Sequence, residues 1–160
     1  HLQDVLFQGW AEPQDLITCF LYSIHYSASL ARLEACIASV HAALAEGGVF
    51  CFNAVDKQRI DNASFVSHSV CQADGRFRFS SGWHYRGEGE QQLLRLRIER
   101  QLGEQSEVWD DEHPMVAVSF AELQALLAPY FEVQVLEHDY QRLLPWDGHA
   151  GNALFACSKR

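Results

Sequence analysis

The segment at residues 15–55, "DLITCFLYSIHYSASLARLEACIASVHAALAEGGVFCFNAV", decides the fold. It opens with an apolar run at residues 15–22 that is too short for a helix, which predicts a strand covered on both faces. Ser27 or Ser29 can cap a following helix, and Gly47 with Gly48 is expected to end it. Its apolar positions recur every three or four residues: Leu30, Leu33, Ile37, Val40 and Leu44. Residues 49–55 form a second apolar run, so the segment predicts a βαβ unit with parallel strands and a right-handed crossover.

Residues 56–118 have a different texture, with shorter alternating segments separated by turn residues. Residues 63–72 and 76–86 flank "ADG" at 73–75, a turn signal, and Leu94, Leu96 and Ile98 alternate with charged residues. A fourth strand is expected either at residues 104–109 or at residues 115–118. This pattern predicts an antiparallel sheet with one face in solvent.

The last part of the chain returns to a helix followed by two strands. "SFAEL" at residues 119–123 predicts a helix with a capping box between Ser119 and Glu122. "FEVQVLEHDY" at residues 131–140 alternates as a strand, and "ALFACSK" at residues 153–159 is expected to pair with it as a wide hairpin.

Composition narrows the class of protein. The chain has 160 residues, 48% of them hydrophobic and 21% charged, as expected for one soluble globular domain. Its net charge of −9 with scattered cations disfavours binding to nucleic acid or to an anionic membrane surface. The five cysteines form no CxxC pair, so we interpret them as reduced core residues of a cytoplasmic protein rather than as a zinc site or a disulfide framework.

The order of these elements resembles class I S-adenosylmethionine-dependent methyltransferases of the small-molecule type. Residues 15–26 and 43–55 resemble the fourth and fifth strands of that family, and residues 131–140 and 152–159 resemble its antiparallel sixth and seventh strands. The resemblance implies an α/β fold: a partial Rossmann-like sheet, mostly parallel with an antiparallel last strand, plus an antiparallel β insertion. Residues 1–56 and 119–160 would form the partial core, and residues 57–118 the substrate lid.

The resemblance also implies a missing first half. The Gly-rich turn of the family and its acidic residue after the second strand have no counterpart here, which corresponds to roughly 60 to 90 absent residues. Asp4 stands where the family has an Asp that accepts the adenine amino group, so Asp4 and Val5 would lie beside the adenine ring. We expect the chain by itself to bind S-adenosyl-L-methionine feebly or not at all.

Ligands of open α/β sheets bind outside the carboxyl ends of the strands, which selects residues 20–26 and 53–56. His25 is the preferred general base because an imidazole titrates near neutral pH, although it could instead cap the helix or pack at the surface. By this reading, the candidate catalytic residues are His25, Tyr22 and Tyr26, and the cofactor-binding residues are Asp4, Val5, Phe20 and Leu21. The candidate substrate-binding residues are Ser23, Asn53, Trp83 and Tyr85, with no metal.

Several of these residues have a plainer interpretation. Trp83, His84, Tyr85 and Trp109 could form an aromatic pocket, but ordinary cross-strand packing explains them too. The acidic run at residues 110–112 with His113 is expected to be an exposed turn rather than a metal site, because consecutive residues cannot all point at one ion.

Three functions remain open at this stage. The first is an enzyme that methylates a small-molecule acceptor at nitrogen or oxygen with S-adenosyl-L-methionine. The second is a non-catalytic, truncated methyltransferase-like module that acts through a homodimer or a partner chain, which would bury its open strand edge. Nicotinamide-dependent reduction on a similar sheet is the third, without a phosphate-binding fingerprint to support it.

Overall fold

The computed structural model describes residues 12–160, which form two four-stranded sheets, two α-helices and two short 3-10 helices at Ser23–Ser27 and Lys57–Arg59. The first sheet, called the core sheet, has the order β1-β2-β8-β7. Its strands and the helices packed on it are β1 (Gln14–Cys19), α1 (Leu30–Ala43), β2 (Leu44–Val55), α2 (Phe120–Leu127), β7 (Phe131–Glu137) and β8 (Asn152–Lys159).

The predicted order of strand, helix and parallel strand is confirmed. Strands β1 and β2 pair in parallel, with Ile17 opposite Phe50 and Cys19 opposite Phe52. Ser29 is the residue that caps α1, since its hydroxyl accepts a hydrogen bond from the Arg32 N–H. The predicted glycine stop is wrong: α1 ends at Ala43, and both glycines lie inside β2. Gly47 lies in the part of β2 where the pairing register with β1 shifts. Its φ of 73° is a left-handed conformation that glycine adopts without strain.

Both helices cover the same face of the core sheet. The core cluster on that face is a set of fully buried side chains from the sheet and the two helices: Leu33, Ile37, Phe50, Phe52, Leu123, Leu127 and Phe155. The expectation that β1 is covered on both faces is not met by residues 12–160, because Ile17 is buried whereas its neighbour Leu16 is 59% exposed. The capping box of α2 is confirmed, with the Ser119 hydroxyl and the Glu122 carboxylate each accepting a backbone N–H bond from the other residue.

The second sheet is antiparallel throughout and has the order β3-β4-β5-β6. Its strands are β3 (Val66–Gln72), β4 (Gly75–Tyr85), β5 (Gln91–Leu102) and β6 (Gln105–Val116). Strand β6 is a single strand of 12 residues that overlaps both positions proposed for a fourth strand and ends at Val116. It tolerates Pro114 because it is an edge strand. The acidic run at residues 110–112 is exposed as predicted, but it lies within β6 and not in a turn.

The cysteines are all free, but they are not all core residues. Cys157 is fully buried and Cys71 is exposed on β3. Burial raises the pKa of Cys157 to about 12 and that of Cys19 to about 11, with a smaller contribution from a neighbouring thiol in each case. Both thiols therefore stay protonated at neutral pH.

Four chain segments converge at one edge of the core sheet. The parallel strands β1 and β2 both end there, and β8 begins there because it is antiparallel to β2, with Asn152 opposite Val55. Strand β7 is antiparallel to β8 and so also ends at this edge. The fold therefore brings residues 20–26, 53–56, 138–140 and 150–152 together.

Candidate functional site

A cleft of about 450 Å³ lies between this edge of the core sheet and the start of the second sheet. Its lining comes from both sheets and from the segment after β2, and it includes Tyr22, Val55, Arg59, Ser81, Trp83 and Asn152. We call it the cleft. Its position is the one at which open α/β sheets bind their ligands.

The turn after β1 is strained where it meets the cleft. Leu21 and Tyr22 both have left-handed backbones, with φ of 54° and 59°, which side chains other than glycine rarely adopt. Such residues cost on the order of 1–3 kcal/mol each and persist only where their surroundings hold them. Here the Tyr22 N–H donates to Asn53 Oδ1 at 3.1 Å, and the Tyr22 ring meets the Trp83 ring edge to face at 5.3 Å.

A line of polar side chains continues from the Tyr22 hydroxyl. Asn152 Nδ2 donates to Tyr22 Oη at 3.2 Å and lies 3.4 Å from Nδ1 of His138. The other ring nitrogen of His138 lies 3.0 Å from the hydroxyl of Tyr140. Burial lowers the pKa of His138, so its ring is neutral at neutral pH.

His25 is completely buried between the two sheets. Its Nδ1 lies 2.9 Å from the carbonyl oxygen of Val116 on β6, and its Nε2 accepts the Val55 N–H of β2 at 3.0 Å. Because a carbonyl can only accept, Nδ1 carries the proton and donates it to Val116. Burial lowers the pKa of His25 to about 4, against a smaller opposing effect of the bond to Val116.

This geometry argues against His25 as a general base. Both ring nitrogens are engaged by the backbone, and none of the ring is exposed to take a proton from a substrate. It also differs from the two plainer interpretations, because His25 neither caps α1 nor lies at the surface. What the ring does is join β2 to β6 and pack against Trp83 with ring centroids 5.7 Å apart.

The other predicted residues of the turn are distributed around it. Tyr26 is 43% exposed, and its hydroxyl bonds Nδ1 of His113 on β6 instead of lining the cleft. Phe20 and Leu21 are 38% and 80% exposed at the tip of β1. Ser23 donates its backbone N–H to the Phe20 carbonyl within the turn. Asp4 and Val5 lie outside the described residues.

Of the predicted substrate-binding residues, Trp83 lines the cleft and Tyr85 does not. The backbone of Tyr85 pairs with the Asn62 side chain, and its hydroxyl donates to the Gly89 carbonyl. Asn53 is fully buried behind Tyr22, and its Nδ2 has no hydrogen-bond partner within residues 12–160. Trp109 is 48% exposed on β6, so it does not share a pocket with Trp83.

Sequence reasoning missed Asn152, Arg59 and the contact of His138 with Tyr22. A signal for Asn152 existed: once β8 is taken as antiparallel to β2, its first residue must lie at the edge where β2 ends. Arg59 carried no such signal. Its guanidinium donates to the carbonyls of Gly148 and His149 and stacks over Trp146, so it holds the loop before β8 against the cleft.

Two features are absent from the part of the chain that is described: a cluster of metal ligands and a membrane-spanning helix. Residues 12–160 contain no group of three or more His, Cys, Asp or Glu side chains that could hold a metal ion. No helix between residues 12 and 160 is long and apolar enough to cross a bilayer.

Comparison with known proteins gives structural neighbours only. No family model matches the chain, and no curated protein sequence matches it. Among solved structures, the amino pentose methyltransferase CalS10 of Micromonospora echinaspora, which is involved in calicheamicin biosynthesis, superposes with a TM-score of 0.76 at 16% identity. That alignment covers 95% of this chain and 61% of CalS10.

Two further structures agree with it. DesVI of Streptomyces venezuelae has a TM-score of 0.73 at 17% identity, over 95% of this chain and 61% of DesVI. The sugar N-methyltransferase KedS8 of a Streptoalloteichus species has a TM-score of 0.71 at 16% identity, over 95% of this chain and 58% of KedS8. The chain thus spans about three fifths of the solved chains that it matches. Over that length it has the fold of the class I S-adenosylmethionine-dependent methyltransferases that act on small molecules.

Proposed function

We propose that the complete protein transfers a methyl group from S-adenosyl-L-methionine to a nitrogen or oxygen atom of a small molecule bound in the cleft. The observation that carries this proposal is the cleft itself, which lies at the carboxyl ends of β1 and β2 beside a strained turn. Strained backbone concentrates at ligand sites, where the surroundings hold it. The names of the structural neighbours support the same chemistry, since CalS10 acts on an amino pentose and KedS8 is a sugar N-methyltransferase.

The tip of β1 fits the proposed methyl donor. Phe20 and Leu21 present exposed apolar side chains there, which could pack against the donor. S-adenosyl-L-methionine supplies an electrophilic methyl group on a sulfonium, and its transfer leaves a neutral thioether. For this chain we therefore propose that Phe20 and Leu21 bind the donor, together with Asp4, Val5 and residues encoded upstream.

Residues 57–118 are proposed to form the lid over the acceptor. Ser81 and Trp83 on β4 provide the wall of the cleft opposite the core sheet. A lid of this kind excludes water and holds the lone pair of the acceptor in line with the reacting carbon, which methyl transfer needs more than it needs covalent help.

His25 takes a positioning role in this proposal. It holds β6 of the lid against β2 of the core through two backbone hydrogen bonds, and it supports Trp83 from behind. Tyr26 adds a second link from the turn to β6 through His113. In this proposal neither residue takes a proton from the acceptor, and the proton that the methylated atom loses is released to solvent.

A matched pair of tryptophan variants tests the proposal. In the complete protein, Trp83→Ala should lower kcat/KM for methyl transfer to amino sugars by about tenfold, or ~1.4 kcal/mol, because it opens the cleft. Trp109→Ala removes an exposed tryptophan of the same sheet outside the cleft and should leave kcat/KM unchanged. Amino sugars and their hydroxyl analogues, assayed side by side, distinguish N- from O-methylation. The proposal would be contradicted if the protein methylated neither the amino sugars nor their hydroxyl analogues, or if the two variants lowered kcat/KM equally.

The alternative of a non-catalytic module rests on the open edge of the core sheet. Within residues 12–160, β1 pairs with β2 alone and leaves its other edge uncovered. An uncovered edge invites pairing with another chain, such as a second copy in a homodimer. Light scattering on the complete protein distinguishes the two: a monomer that transfers methyl groups removes this alternative.

A further inference from the structure

The hydroxyl of Tyr22 accepts a hydrogen bond from Asn152, which leaves its proton free to be donated to a ligand. The side-chain amide nitrogen of Asn152 can only donate hydrogen bonds, and it lies 3.2 Å from Tyr22 Oη. The phenolic oxygen is therefore the acceptor of that bond. The hydroxyl proton of Tyr22 is not used in this contact, and both Tyr22 and Asn152 line the cleft.

The Asn152 amide also faces His138. The same nitrogen of Asn152 lies 3.4 Å from His138 Nδ1, so Nδ1 must hold a lone pair and the ring proton must be on Nε2, which faces the Tyr140 hydroxyl at 3.0 Å. This arrangement corresponds to the neutral ring with its proton on Nε2, and burial, which lowers the pKa of His138, favours the neutral form.

The ring of Tyr22 is held as firmly as its hydroxyl. Its backbone N–H donates a hydrogen bond to the Asn53 side chain. Its ring packs against Trp83 with a centroid distance of 5.3 Å and against His138 with a centroid distance of 5.9 Å. A group held from this many directions is preorganised for one geometry of contact.

We propose that Asn152 and His138 hold Tyr22 as a hydrogen-bond donor toward the cleft, where it binds an oxygen atom of the methyl acceptor. The identity of the ligand as a methyl acceptor rests on the proposed function; the donor polarity of Tyr22 does not. An amine nitrogen has a single lone pair, and a donor bonded to it would occupy the lone pair that must reach the methyl carbon, so with a nitrogen nucleophile the bound oxygen is a different atom of the acceptor. The acceptor class is thus an amine that also carries an oxygen atom, and Tyr22 is not a base.

Two small probes of opposite character test the polarity by NMR on the complete protein. Acetate only accepts hydrogen bonds, whereas methylammonium only donates them, and the two are similar in size. Acetate should shift the Cζ resonance of Tyr22 in a saturable way, and methylammonium should not. A response to methylammonium alone, or to neither probe, would overturn the proposal.

The variant Asn152→Asp tests the positioning role. Its carboxylate can only accept, so it would accept a hydrogen bond from the Tyr22 hydroxyl and favour a proton on His138 Nδ1. We expect wild-type His138 to be protonated on Nε2 alone, the variant to gain a proton on Nδ1, and the acetate response of Tyr22 to be lost in the variant. Wild-type His138 protonated on Nδ1, or an acetate response that survives Asn152→Asp, would refute the role of Asn152. Neither readout depends on turnover, so a protein that transfers no methyl group would remove the proposed function and leave this result intact.

Discussion

The buried imidazole of His25 predicts a specific loss of stability in mild acid. The ring is fully buried, and its Nε2 accepts the Val55 N–H. A second proton on the ring would therefore place a positive charge out of contact with water and would turn Nε2 from a hydrogen-bond acceptor into a donor. Burial lowers the pKa of His25 in the folded chain to about 4, whereas an unfolded chain has the usual histidine value of about 6.5. The contribution of the neutral His25 ring to the free energy of unfolding is therefore fully present above about pH 6.5 and is lost as the pH falls toward 4.

The magnitude follows from that interval. Between about pH 6.5 and about pH 4 the unfolded chain binds up to one more proton than the folded chain, which lowers the free energy of unfolding by about 1.4 kcal/mol per pH unit. Integrated over the interval, His25 should contribute ~3 kcal/mol less stability at pH 4 than at pH 7. This is a large part of the total stability of a typical domain.

Urea unfolding at several pH values measures this effect, with His25→Gln as the perturbation. Glutamine does not titrate, so the advantage of the wild type over His25→Gln should shrink by ~3 kcal/mol between pH 7 and pH 4. His149→Gln, which removes an exposed histidine, controls for the loss of one of the eight histidines. A wild-type advantage that is constant with pH, or an NMR titration of His25 near pH 6.5, would refute the buried, neutral state of the ring.

Two further predictions concern the packing around the site. Ser119→Ala removes the capping box of α2 and should lower the free energy of unfolding by ~1 kcal/mol, whereas Ser39→Ala, which removes only a bond from the Ser39 hydroxyl to the Ala35 carbonyl within α1, should change it by less than ~0.5 kcal/mol; equal effects in chemical unfolding would contradict the cap. Gly82→Ala should cost ~1–3 kcal/mol, because its Cβ would lie 2.7 Å from the Phe65 ring and 2.8 Å from the Ser64 carbonyl oxygen. Ser80→Ala on the same strand is the control, and full stability of Gly82→Ala would show that the segment before β3 does not pack there.

The fold was more predictable than the site, for a physical reason. Alternation and helical periodicity are local patterns. The pattern in residues 15–55 was therefore sufficient to predict the parallel pair of β1 and β2, and Ser119 was sufficient to predict where α2 begins. The end of α1 was not predictable from Gly47 and Gly48, because pairing with β1 draws Leu44 into an extended strand and leaves the glycines for the shift in register.

Residue types after β1 and β2 selected side chains for the site, but their contacts could not be predicted from the sequence. Tyr22 was selected by position alone, and only the structure shows that Asn152, 130 residues away, donates a hydrogen bond to its hydroxyl. His25 was selected because histidine titrates near neutral pH, yet burial between β2 and β6 cancels that property. Contacts between distant segments decide these roles, and no local pattern encodes them.

We propose that the methyl donor binds where β1 and β2 end. NMR titration of the complete protein with S-adenosylhomocysteine tests this proposal, because the shifts report both whether and where the ligand binds. We predict saturable shifts at Phe20 and Leu21, with none at Trp109, which lies on β6 away from the cleft. Binding without shifts at the tip of β1, or no binding at all, would contradict a donor site there.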